Sequence, residues 1–187
     1  MKKYVAFVLV LLLAISSFPS CRAYAHEDNI YAPYKSFEEL YEAYGKAIKE
    51  RNIEQQKKLL EIGRRSLIAE MEMADRSIKP TADPDKIYWI NQFPNYFSYG
   101  YFEFRNTSKY VENLTLSLGN KLTFWNAQDK EYGWNSVYAK FSDDYRWAHT
   151  NVMREQFYCH ARLGYAAFGG EWNLEPRKTQ INPISCN

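Results

Sequence analysis

Cys159 and His160 are neighbours in the stretch FYCH, a thiol beside an imidazole in a chain of 187 residues. Such a pair can serve as nucleophile and base in a hydrolase, or as half of a metal site. Arg162 follows at once, and the stretch WNLEPR adds Glu175 and Arg177. His160, Arg162, Glu175 and Arg177 are therefore the best polar set for function, because an imidazole with a carboxylate is what general acid-base chemistry needs. The same four side chains could equally line a binding surface, or Glu175 and Arg177 could merely pair. Asp143 and Asp144 are adjacent at the end of an expected helix, which suits a turn or cap better than a carboxylate dyad.

The spacing in QFYCHARL argues against a thiol-imidazole pair. Read as a strand, the stretch places Phe157, Cys159, Ala161 and Leu163 on one face and Tyr158, His160 and Arg162 on the other. Cys159 and His160 then diverge. A zinc site needs three or four ligands at closed spacing, whereas His26, His149 and His160 are scattered, so neither a metal nor another cofactor is expected. The chain also has no serine nucleophile motif and no phosphate loop.

The amino terminus says where these groups work. MKK precedes the apolar run VAFVLVLLLAI, and the small-residue site Ala23-Tyr24-Ala25 follows, the pattern of a secretory signal peptide over residues 1–25, cleaved after Ala25. The alternative is a lipoprotein anchored through Cys21. The apolar run is shorter than the roughly 20 residues that span a bilayer, and no later segment approaches that length. The mature chain is thus expected to be secreted, with no transmembrane segment. Of 24 basic and 22 acidic residues, the basic Lys2, Lys3 and Arg22 belong to the leader. The mature chain is therefore close to neutral, without the basic footprint of a nucleic-acid binder. Of three cysteines, Cys159 and Cys186 survive either fate of Cys21, and an even pair in an exported protein reads as one disulfide.

The elements that must position these residues follow from capping and period. Ser36 and Glu39 form a capping box ahead of Phe37, Leu40, Tyr41, Tyr44 and Ile48, and Asn52 with Gln55 caps a second apolar stripe. The spacing predicts a helical hairpin over 37–50 and 53–78, bent at Gly63, within a first unit at 26–79. KPTADPD, residues 79–85, ends it. Residues 86–187 hold all five tryptophans and read as an antiparallel β-rich domain. YGYFEFR and LTLSL are strands, and LTLSL is expected to turn at GN and pair with KLTFW, Leu118 opposite Leu122 and Leu116 opposite Phe124. WNSVYAKF carries Trp134, Val137, Tyr138 and Phe141 at helical spacing and should pack on the sheet. The expected class is α+β, with one packed helix and one disulfide.

In sequence order, WNSVYAKF, DYRW, TNVMREQFYCH, WNLEPR and the terminal Cys186-Asn187 resemble the C-terminal module of a secreted bacterial family known as domain of unknown function 2599. The resemblance covers Glu131 to Asn187, with Arg177 standing where that family carries an aromatic residue. It implies the same Cys159–Cys186 pairing and brings no activity. The function expected is a secreted or envelope-associated, non-enzymatic module that binds an unidentified protein or a cell-wall glycan. The alternatives are a secreted hydrolase using His160 and Glu175, or a secreted effector or toxin.

Overall fold

The computed structural model describes residues 29–77, 86–107, 110–121, 126–163 and 170–186. The leader, Cys21 and the 79–85 boundary lie outside them. Two helices open the described chain, α1 (Phe37–Lys49) and α2 (Ile53–Ser77). The backbone N–H of Glu39 donates to Ser36 Oγ, while Glu39 Oε2 accepts from the N–H of Lys35 at 2.9 Å. Asn52 Oδ1 caps the start of α2 through the Gln55 N–H at 3.0 Å. Caps of this kind satisfy donors that the first helical turn leaves open.

A third helix, α3 (Lys86–Tyr96), leads into the strands β1 (Phe97–Thr107) and β2 (Tyr110–Asn120). Helices α4 (Ala127–Phe141) and α5 (Thr150–Leu163) follow, then the short strand β3 (Glu171–Leu174). The sheet is antiparallel in the order β1-β2-β3. It is a mixed helical and antiparallel fold closed by the Cys159–Cys186 disulfide, whose Cα atoms are 5.5 Å apart. As expected, α4 packs on the sheet: Phe141 lies edge-on to Phe102 of β1 at 6.0 Å between ring centres.

Three local expectations are corrected. QFYCHARL is helical, not extended, and forms the second half of α5. Alternation in the last seven residues mimics a strand, but over the whole of α5 Met153, Phe157 and Ala161 recur every fourth residue, and all three are buried. Lys86–Tyr96 is likewise a helix despite its aromatic content, with Phe93 and Tyr96 on its buried side. The LTLSL–KLTFW hairpin does not form from β2. Leu118 lies opposite Gly100 on one side and Trp172 on the other, and Leu116 opposite Phe102 and Leu174, so both edges of β2 are occupied. Leu122 and Phe124 lie outside the described residues.

The GN signal has another cause. A Cβ on Gly119 would come within 2.5 Å of the Tyr99 ring, so this glycine lets Tyr99 lie across the sheet instead of turning the chain. Gly63 is similar: a Cβ there would stand 2.7 Å from Ile184, which makes it a notch for the C-terminal segment.

One core unites the hairpin with the rest. Leu67 and Ala74 of α2 pack in the same cluster as Phe97, Leu116, Leu118, Trp134, Phe157 and Trp172. A second cluster under α1 joins Phe37, Leu40, Tyr44 and Leu59 to Ile184. The disulfide therefore pins a segment that itself fills the hairpin's core.

Candidate functional site

The four residues singled out by the sequence go to three places. His160 sits in the last turn of α5, stacked on Trp172 with ring centres 5.8 Å apart. Its Nε2 is 3.2 Å from the carbonyl oxygen of Asn173, an acceptor, so Nε2 carries the proton and donates. Burial pushes the imidazole down to about 4, against a smaller opposing effect of the Asn173 bond and the Glu175 charge.

Arg162 is interior, not on an outer strand face. Its guanidinium donates to the carbonyl oxygens of Gly63 and Pro183, each at 3.3 Å, and lies 3.3 Å from Glu70 Oε1 with its side chain 1% exposed. It also rests on the Phe37 ring at 4.7 Å. Glu70 is shared with the Tyr31 hydroxyl, which donates to it, and with Lys130 at 3.5 Å. A parallel cluster holds Glu131, which accepts from Arg154 at 2.7 Å and from the Tyr158 hydroxyl. Burial, then the Glu131 charge, raises Tyr158 far above the usual tyrosine range. A buried charge with its partners in place is tolerable, and one left alone is not, so these clusters lock α2, α4 and α5 together.

Glu175 and Arg177 do not pair. Glu175 binds Lys178 and lies 3.5 Å from the Asn113 amide, while its backbone N–H donates to Gln156 at 2.7 Å. Arg177 is exposed, with its guanidinium 5.7 Å from the centre of the Phe104 ring. The set does not converge in one pocket. An open groove of about 480 Å³ between α2 and the C-terminal segment is lined by Leu60, Glu61, Arg64, Ile181 and Pro183 among others, and none of the four lines it. Asp143 pairs with Lys86, and Asp144 forms a turn with Arg146, whose hydrogen bonds hold its carboxyl down at about 2. Among the described residues, no group of three or more His, Cys, Asp and Glu is placed to hold a metal ion.

What sequence reasoning missed is the polar face of the sheet, open to solvent at Tyr99 and Tyr101 and closed over Ser117, which is fully buried. The pairing register puts Tyr101, Glu103 and Arg105 of β1 on the same face as Ser117 of β2 and Glu171 and Asn173 of β3, and Tyr99, in the irregular stretch before Gly100, joins them through its stack on Tyr101 and its bond to Glu171. Tyr99 and Tyr101 stack with centres 5.7 Å apart and are 41% and 46% exposed. The Tyr99 hydroxyl donates to Glu171 at 2.7 Å, and Arg105 links Glu171 to Glu103, 2.6 Å away on Nε. Hydrogen bonds from Ser117 and then Arg105 hold the Glu103 carboxyl below its ordinary range. The signal was the strict alternation of Tyr99, Tyr101, Glu103 and Arg105 with Gly100, Phe102 and Phe104. Comparison of the chain with protein families, curated proteins and solved structures finds no match. Among the described residues, no helix is long and apolar enough to cross a membrane.

Proposed function

We propose that this chain is an exported, non-enzymatic binding module, related to the secreted bacterial family that its C-terminal third resembles, and that it engages a cell-wall glycan on the open face of the sheet. The observation that carries the reading is the exposed Tyr99–Tyr101 pair, held beside Glu103, Arg105, Glu171 and Asn173 by bonds among the side chains themselves. The electron-rich faces of aromatic rings attract the polarised C–H faces of sugars, and the neighbouring carboxylates, guanidinium and amide match sugar hydroxyls. The disulfide agrees with an oxidising compartment.

The hydrolase alternative has less support. His160 carries a proton on Nε2, bound to a backbone carbonyl, and Glu175 is engaged by Lys178. The test of the binding reading is titration of the mature chain with solubilised wall glycan beside Tyr101→Ala. The half-exposed Tyr101 should cost little stability and at least about tenfold in affinity, as truncating an aromatic anchor does. Equal affinity in the two proteins removes this face from the reading.

A further inference from the structure

Among the described residues β1 is an edge strand, bonded to β2 on one side. Among the described residues no hydrogen bond reaches the other edge of its backbone between Gly100 and Arg105. A long edge with its N–H and C=O groups facing water is a template for another strand, and proteins that must prevent pairing break it with lysine, proline or bulges. The stretch Tyr99–Arg105 contains no lysine and no proline, and the register irregularities lie outside Gly100–Arg105. Phe104, 55% exposed, stands on the sheet's core-facing side at that edge.

From these observations we propose that β1 pairs with β1 of a second copy, antiparallel about a two-fold axis at Phe102, to make one continuous six-stranded sheet. The register follows from the side chains. Directly opposed residues share a face, so only registers opposing odd to odd and even to even positions keep the polar and apolar faces of both copies aligned. Centring the axis on Glu103 sets two carboxylates against each other. Centring it on Tyr101 brings the charged Arg105 opposite Phe97, whose side chain is buried in the core. Centring on Phe102 opposes Tyr101 to Glu103, Tyr99 to Arg105 and Gly100 to Phe104. The first pair is phenol to carboxylate and the second ring to guanidinium, and both are favourable across strands. The third places an exposed ring beside a glycine already crowded by Phe141 and Phe93, each within 3 Å of where its Cβ would be. The interface is isologous, as a two-fold dimer requires.

One strand per partner makes a small interface, so the dimer should be weak and visible only at high concentration. Sedimentation velocity of the mature chain without glycan, from about 1 to 500 µM, should show a reversible monomer–dimer equilibrium. Phe104→Lys, on an exposed side chain, should weaken it at least about tenfold while leaving the melt in place. Register is read by mixing a Tyr101→Cys chain with a Glu103→Cys chain. The mixed disulfide should outpace either self-linked product, since opposed residues fall within disulfide reach. A chain that stays monomeric throughout overturns the proposal, as does a dimer indifferent to Phe104→Lys. Equal rates of mixed and self cross-linking overturn the register. A β1 edge that pairs only with added extended peptide shows a different occupant and also overturns it.

Discussion

His160 shows how environment decides a residue's role. Its ring is buried flat on Trp172, and that burial makes the folded state prefer neutral imidazole although the Nε2 proton donated to the Asn173 carbonyl opposes it. The folded pKa, about 4, lies below the ordinary 6.5. For a histidine lowered in this way, the stabilisation is full above about pH 6.5, falls as the unfolded chain binds its proton, and is gone below about pH 4, with about 3 kcal/mol at stake. Native stability should therefore drop across that window, and His160→Gln, whose amide can still donate to Asn173, should show a flatter profile there. Chemical denaturation at pH 7, 5.5 and 4.5 measures it. Parallel pH profiles for the two proteins would contradict the buried neutral imidazole.

At the scale of elements, what was legible depended on whether the signal was local. The capping pairs Ser36–Glu39 and Asn52–Gln55 and the stripe of WNSVYAKF are local, and α1, α2 and α4 stand where they point. Both cysteines were found by counting, since compartment and parity suffice. α5 was missed because a seven-residue window cannot separate period 2 from period 3.6 when nearly every side chain is buried. The β2 pairing was missed because Gly119 has a long-range cause, the Tyr99 ring, that no neighbouring residue announces. Arg162 was placed outside because its partners, Glu70, Gly63 and Pro183, are distant in sequence. Gly63 tests the same point. Helix propensity alone makes Gly63→Ala stabilising by about 1 kcal/mol, but the collision with Ile184 should reverse the sign to a loss of about 1–3 kcal/mol, as overpacking does. Ile184→Ala made in addition should cost less than it does alone. A stabilised Gly63→Ala chain in urea denaturation would refute the notch.

Among the described residues the molecule is a helical hairpin and a small sheet with three more helices, tied by shared apolar side chains, two buried ion clusters and one disulfide. For a chain loop of this size the disulfide contributes about 3.6 kcal/mol in the chain-entropy account. These devices tie the interior together, and on the reading proposed above the sheet face of Tyr99 and Tyr101 and the β1 edge are what meets other molecules. His160 and Arg162, whose chemistry first draws attention, are part of that interior, beside Glu131 and Tyr158. The measurement that bears most directly on this division is incubation of the mature chain with purified wall glycan, reading the bound fraction and the soluble fragments released, with His160→Gln alongside. The account predicts saturable binding, no fragments, and binding by His160→Gln within about twofold of the unaltered chain. Release of fragments by the unaltered chain, abolished in a folded His160→Gln protein, would contradict it and make His160 a catalytic residue.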